Sequence, residues 1–455
     1  MSSQSIPSQA LSASDPSIII TEENSRREQP ADFTCRPVFN PVPSCGTNFL
    51  PVMVPDRDLE VKELPQQPLN LFHHFVPYFL VAKWVKYTNE WVDHLLRSRS
   101  WKPRARIRSW KPTTVPEVYL WLALLIHIGI HKEITIRDHW KTSRLGHQGS
   151  DHSILKVMTF DRFQLLHRHL RLFNPFSLAK EAAKAGLAKV FTAVDEWSRH
   201  LQYASTEFLK PGMNIAVDEC MIRYTGRSYQ TTRVPNKPIP VGFKIWATAQ
   251  KGLFLRSLRQ YGHGATGTAR RNCGIYAPFA KLKEDDSAGR RLLQFNEVNQ
   301  IAWKDNALVL FLSTVFRGDE LVIRKRKRPN TDQARARPIQ RFFGDEAVKT
   351  FAIPSIAATY NNEMNHVDRG DQLRASRGYS HSIRRGPWQA IAWTFLLDTA
   401  LINSYLLQLH GQPKWKKIRS QSDWRGRLID DLIAAYWTGH SRKRFRAGDE
   451  NTPIS

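Results

Sequence analysis

The chain is short of cysteine, of acid and of long apolar runs, and each shortage removes a class of function. Its 455 residues include 4 cysteines, Cys35, Cys45, Cys220 and Cys273, scattered with no C-x-x-C pair. That excludes a disulfide framework, suits a reducing compartment, and leaves no expectation of a zinc site. The longest apolar stretch, residues 118–130, is broken by His127 and is too short to cross a bilayer, so no membrane partner is expected. The opening MSSQSIPSQALSASDPS lacks the basic-then-apolar order of a secretory signal. A glycine-rich phosphate loop, a Ser-His-Asp ordering and an internal repeat are likewise missing.

The shortage of acid is the most informative. Lys plus Arg number 67 against 41 Asp plus Glu, a net charge of +26. An excess of that size repels itself until a polyanion neutralises it, and nucleic acid is the expected polyanion. An apolar fraction of 41% is still enough to build a core, so the chain is not a disordered polycation.

Residues 1–66 are rich in Ser, Pro, Gln and Glu and read as a disordered tail. From there to 207 the apolar spacing is helical. FVPYFLVAKWVKYTNEWVDHLL is one helix, and Thr113 or Thr114 caps the next, with Pro116 and Glu117 in its first turn. Thr159 precedes a third, FDRFQLLHRHLRLF, whose HRH at 167–169 reads as solvent-facing, and KAGLAKVFTAVDEWSRHLQYAS is a fourth. At Pro211 the texture changes. NIAVDECMIRYTG, GFKIWATAQ, ATGTARRN and LVLFLSTVF read as strands, LFLRSLRQYG as a short helix, and GPWQAIAWTFLLDTALINSYLLQLH as a long one. Strands mixed with helices after a helical domain predict an α/β or α+β core.

Three groups of residues stand out. Asp218 interrupts an apolar strand, where a carboxylate is costly unless paired or ligating a metal; the alternative is an acid satisfied by backbone donors or by an Arg. Asp368 and Asp371, in HVDRGDQLR, share one helix face. Without Cys or His partners they suit a hard cation such as Mg²⁺, although acid residues also collect at helix starts for the dipole alone. The run Arg324, Lys325, Arg326, Lys327, Arg328, Pro329 reads as a nuclear localisation signal or a phosphate-contacting loop, against a solvated basic turn. Arg442, Lys443, Arg444 and Arg446 make a weaker cluster.

The blocks NIAVDECMIRYTGR, PNKPIPVGFKIWATA, GATGTARRN, WKDNALVLFLSTVF and YNNEMNHVDRGDQLR closely resemble, in that order, the piggyBac-type transposases, most of all their fungal branch. WKPTTVPEVYLWLALLIHIGI, RDHW and FDRFQLLHRHLRLFNP resemble the helical domain that precedes the family's catalytic core. The resemblance implies an RNase H-like core with an inserted domain, in which three Asp residues bind two Mg²⁺ ions, cut transposon ends and join them to target DNA. It implies a helical dimerisation or DNA-binding domain over 67–207, core segments over 208–278 and 355–411, an insertion over 279–354 and a basic tail over 412–455. A nuclear location, double-stranded DNA as partner and a possible homodimer follow from the same likeness.

Asp218 matches the family's first catalytic Asp, Asp368 the third, and Asp371 a further acidic position. Asn365 and His366 stand where the family has a glycine pair. For the second catalytic Asp none is found. After KIWATAQKG the chain passes directly into LFLRSLRQYGHGATGT, without the strand and Asp-Asn block that belong between them. The missing strand belongs beside the one carrying Asp218, so the resemblance implies an incomplete core sheet, with a gap or a new pairing. It also implies lost or crippled chemistry, since two ions need bridging and flanking carboxylates. The alternatives are a non-catalytic DNA-binding protein kept for its basic surface, and an active transposase from which a coding segment has been dropped as an intron.

Overall fold

The computed structural model describes residues 56–141, 152, 157–186, 188–224, 226, 228–234, 239–251, 253–255, 266–268, 291–294, 299–304, 308–330, 336–376 and 389–437. Most of the expected N-terminal tail and the cluster at 442–446 lie outside them. The chain begins with helices: α1 (Pro68–Phe75), α2 (Tyr78–Ser98), α3 (Val115–Ile130), α4 (Phe160–His169), α5 (Leu178–Ala185) and α6 (Lys189–Phe208).

The caps are local and sequence-driven. Thr114 Oγ1 accepts the Glu117 N–H at 3.4 Å, and the Glu117 carboxylate takes the Thr113 hydroxyl at 2.8 Å. The same carboxylate reaches Arg162 of α4 at 2.7 and 2.6 Å, so one capping residue also fixes the next helix. Thr159 caps α4 by accepting the Arg162 N–H at 3.3 Å. The run expected as one helix near residues 184–205 is two, because Gly186 adopts φ 66° and closes α5. The histidines expected at the surface are inside. His167 and His169 are buried, and burial pushes each pKa down to about 4. His167 lies among the rings of Trp121, Phe163 and Trp393, whose apolar area outweighs the cost of a neutral imidazole.

The first strands, β1 (Glu60–Val61) and β2 (Leu209–Lys210), pair antiparallel, so the last part of the expected tail is tied to the end of α6, with Leu64 buried beside it. Next come β3 (Ala216–Arg223), β4 (Thr231–Arg233), β5 (Val241–Gln250) and β6 (Leu253–Leu255). The sheet order is β3-β5-β4, with β6 also on β5. The β3–β5 register runs from Ala216 opposite Ala249 to Arg223 opposite Gly242. A Cβ on Gly242 would stand 1.9 Å from the Ile222 carbonyl oxygen, so only glycine allows that approach.

β6 corrects the start of the helix expected over 253–262, of which residues 256–262 lie outside the described ones. Leu253 pairs with Gln250, and Lys251 turns the chain with φ 50°. A short segment cannot sustain a helix alone, whereas hairpin pairing with an existing strand satisfies its backbone at once. The second sheet contains β7 (Thr266–Thr268), β8 (Arg291–Gln294), β9 (Asn299–Lys304) and β10 (Leu308–Ser313) in the order β7-β10-β9-β8. β11 (Leu321–Lys327) and β12 (Val348–Pro354) make a separate antiparallel ribbon. The remaining helices are α7 (Arg337–Phe343), α8 (Ser355–Glu363), α9 (His366–Ser376), α10 (Gln389–His410) and α11 (Gln421–Tyr436).

α11 corrects the tail expected over 412–455. Trp424, Leu428 and Leu432, four residues apart, are buried, and the helix packs on α3 and α1. Ser420 caps it by accepting the Asp423 N–H at 3.4 Å. One apolar core runs from Leu64 through α3, α6, β3, β5 and α10 to Leu432 of α11. The helices that precede β3 and the first sheet therefore share an interior, although composition suggests two domains.

Candidate functional site

Strand alternation puts Asp218, Cys220 and Ile222 of β3 on one face and Val217 and Glu219 on the other. Cys220 and Ile222 are buried while Val217 is 55% exposed, so the Asp218 face turns inward. The Oδ1 of Asp218 accepts the Glu219 N–H at 2.8 Å. Glu219 belongs to a different system. Lys244 holds it at 2.5 Å, and that ammonium sits 4.5 Å from the Trp246 ring centre.

α9 packs across β3 and β5, with Asp368 in its first turn and Asp371 three residues on. The buried Cys220 thiol records the convergence. Burial pushes its pKa up, Asp371, Asp218 and Asp368 push it the same way, and Arg374 opposes them. The structure thus places all three predicted carboxylates within electrostatic reach of one thiol. Arg374 belongs to that corner and was not predicted. Its Nε and guanidinium N–H donate to Asp371 Oδ1 at 3.0 and 2.7 Å, and the group lies 4.7 Å from the Phe395 ring centre. The signal was available in D-Q-L-R, an acid and a base at helical i,i+3 spacing. From α11, Gln421 donates to the Leu373 carbonyl at 3.1 Å and so steadies α9.

Asn365 and His366, in place of two glycines, cause no strain. Lys251 is the single non-glycine with positive φ among the described residues, and His366 simply begins α9, its Nε2 at 2.5 Å from Glu363 Oε2.

The expected Mg²⁺ can be tested on the donor set. Asp218 and Asp368 have the oxygen chemistry a hard cation wants, but Asp371 is engaged by Arg374. Among the described residues no three His, Cys, Asp or Glu side chains are arranged to hold a metal ion. The described residues do not form a two-ion cage.

β5 carries β3 along one edge and β4 and β6 along the other. Among the described residues no strand pairs with the second edge of β3. The new pairing forms, but on β5 rather than beside Asp218.

The basic run is not a loop. Arg324, Lys325, Arg326 and Lys327 lie in β11, and the Arg328 N–H donates to the Ala347 carbonyl at 2.9 Å. Lys325 and Lys327 share a face with the exposed Leu321 and Ile323. Arg324 and Arg326 share the other with Phe351, against which Phe343 of α7 packs edge-on at 5.0 Å. α8 packs on both strands of the ribbon and is followed directly by α9, which links the basic strand to Asp368 through the chain. Trp101 and Trp110 are half-buried, and the Trp101 Nε1 donates to the Leu95 carbonyl at 2.9 Å, which makes them packing residues.

The family model described as Transposase IS4 matches residues 67–265 and 253–405, two segments that meet at the β5–β6 hairpin and the residues just after it. A solved cryo-EM structure of a piggyBac transposase synaptic complex with hairpin DNA aligns over 86% of this chain and 86% of that chain, with a TM-score of 0.61 and 18% identity. At that identity the structural likeness speaks for the fold. Matched over more than half of its length, this chain belongs to the Transposase IS4 family, and its fold is that of the piggyBac-like transposases.

Proposed function

We propose that this chain is a transposase-derived DNA-binding protein whose ancestral reaction, Mg²⁺-dependent cleavage and strand transfer at transposon ends, is lost. The observation that carries the reading is the carboxylate corner. It keeps Asp218 and Asp368, spends Asp371 on Arg374 and has no described strand beside β3 to bring another acid. Two carboxylates cannot both bridge and flank two ions. On this reading the first sheet with α9 and α10 is the remnant of an RNase H-like core, and the second sheet with the ribbon is its insertion.

Double-stranded DNA is the proposed partner. The solved relative is a complex with hairpin DNA, and the net charge of +26 here requires a polyanion. The Lys and Arg side chains of β11 would contact phosphates and release counterions. A nuclear location and a homodimer belong to the same proposal.

The test is a salt titration of duplex binding. Log affinity should fall linearly with log salt, by about 0.9 per phosphate neutralised, and replacing Arg324, Lys325, Arg326 and Lys327 by Ala should make that slope shallower. Salt-independent binding overturns the DNA reading. Mg²⁺-dependent nicking that disappears in Asp218→Ala or Asp368→Ala overturns the loss of chemistry. So does a native transcript that encodes an Asp-Asn block between Gly252 and Leu253.

A further inference from the structure

The end of α2 and its link to α3 form a charged surface that neither the carboxylate corner nor β11 accounts for. Residues 97–111 carry seven Lys and Arg, and no acid lies between Asp93 and Glu117. The pentapeptide Arg-Ser-Trp-Lys-Pro occurs twice in this stretch, at 99–103 and at 108–112. It is too short to be a domain repeat, yet both copies are used alike. Trp101 and Trp110 pack with Ile107 in one cluster with Val92 and Leu95 of α2. The cations beside the two indoles, Arg99, Lys102, Arg108 and Lys111, stay exposed, as does Arg104.

The link is tied down at several points. Asn89 of α2 donates to the Thr113 carbonyl at 3.0 Å and accepts the Thr113 N–H at 2.8 Å. Before that clamp the chain makes a 3₁₀ turn, Arg106–Ser109. The Arg108 N–H donates to the Ala105 carbonyl and the Trp110 N–H to the Ile107 carbonyl, each at 3.0 Å. Pro103 and Pro112 fix two further backbone dihedrals. The cost of ordering this segment therefore falls on folding and not on binding.

Little of the charge is matched within the chain. Arg97 stands 3.9 Å from Asp93, and Arg106 lies 3.5 Å from Asp161 and donates to Gln164 of α4. Among the described residues Arg99, Lys102, Arg104 and Lys111 have no acidic partner. Arg168, exposed on α4 one turn beyond Gln164, extends the same surface.

We propose that this link is a second DNA surface, on which Arg99, Lys102, Arg104 and Lys111 contact the phosphates of a duplex without reading its bases. The inference rests on the DNA reading above and adds to β11 a surface on another part of the chain. Exposed cations without acid neighbours gain most from a polyanion, because the duplex releases condensed counterions as they bind. Both indoles are committed to packing on α2, so the link offers charge but no ring on which a base could stack. It presents neither a long helix nor a ribbon, the elements that enter a major groove. Phosphate contacts of this kind fix position and carry no sequence information.

The test compares full-length proteins on two duplexes of unrelated sequence. Replacing Arg99, Lys102, Arg104 and Lys111 together by Ala should make the slope of log affinity against log salt shallower by about 3–4, equally on both duplexes. A control removes the same charge from other exposed positions, Lys180, Lys184, Lys189 and Lys416, and should change the slope by less than half as much. The four link side chains are exposed, so their variant should keep the wild-type thermal midpoint. In the wild type itself, bound duplex should slow chemical acetylation of Lys102 and Lys111. Wild-type binding that ignores salt overturns the DNA reading as a whole. Salt-dependent wild-type binding whose slope the link variant retains, or the control lowers equally, overturns this surface alone. So do lysines acetylated at the same rate with and without duplex, and a loss confined to one of the two sequences.

Discussion

Two sets of carboxylates sit within reach of one arginine and follow opposite rules. Asp398 of α10 is buried, with Arg425 of α11 at 3.9 Å. Burial, against the pull of Arg425 and Arg374, pushes its pKa up to about 6. Asp218, Asp368 and Asp371 are only half-buried, and all three act electrostatically on one thiol. Arg374 stands between, bonded to Asp371 and felt by Asp398. A carboxylate withdrawn from water must be matched by a cation or a proton, so Asp398 and Arg425 depend on each other. Like charges left near water tolerate one another because solvent screens them, and that tolerance keeps ligand chemistry available. The contrast separates an acid that holds helices together from acids that stand half-buried near one thiol.

The strongest way to break this contrast is Arg425→Leu. It strands Asp398 in the interior, and unfolding free energy at pH 7 should fall by about 3–5 kcal/mol in denaturant titrations. A loss below about 1 kcal/mol would mean that the buried acid does not need its cation.

Asp398→Asn tests the same group through pH. The folded pKa lies above the unfolded one, so between roughly pH 4 and pH 6 the native state binds more protons. Asp398 therefore adds stability as pH falls through that window and costs stability above it. Urea unfolding of the two proteins at several pH values should show their difference changing by up to about 1.4 kcal/mol per pH unit there, then levelling off above it. A flat difference would place the titration elsewhere.

Arg374→Gln sharpens the link between the two sets. It removes a charge-assisted pair with Asp371 that is half-buried, and should cost about 1.5 kcal/mol in the same assay. The smallest effect belongs to Asp368→Asn, which removes one of several like charges near solvent. Stability should stay within about 0.5 kcal/mol of wild type. A loss of several kcal/mol would make Asp368 a structural acid.

Much of the local structure was legible because it is decided within one turn. The caps at Thr114 and Thr159 and the alternation through Asp218 needed no distant partner. Misreadings occurred where neighbours far along the chain overrule local pattern. The basic run looked like a loop because five successive cations hide the alternation of a strand, yet β12 pairs with the first four of them. His167 and His169 looked polar, but Trp121 and Trp393 enclose the first and Trp110 meets the second edge-on at 6.0 Å.

The amino-acid sequence by itself determined the helix starts, the expected polyanion and the order of the family blocks. Each is a property of adjacent residues or of summed charge. Tertiary structure alone decided that Asp218, Asp368 and Asp371 all lie within electrostatic reach of Cys220, that β6 joins β5 and not β3, and that Asp398 lies in the interior. Those outcomes depend on desolvation and on which backbone edge is nearest, and both are set by elements brought together only when the shared core closes.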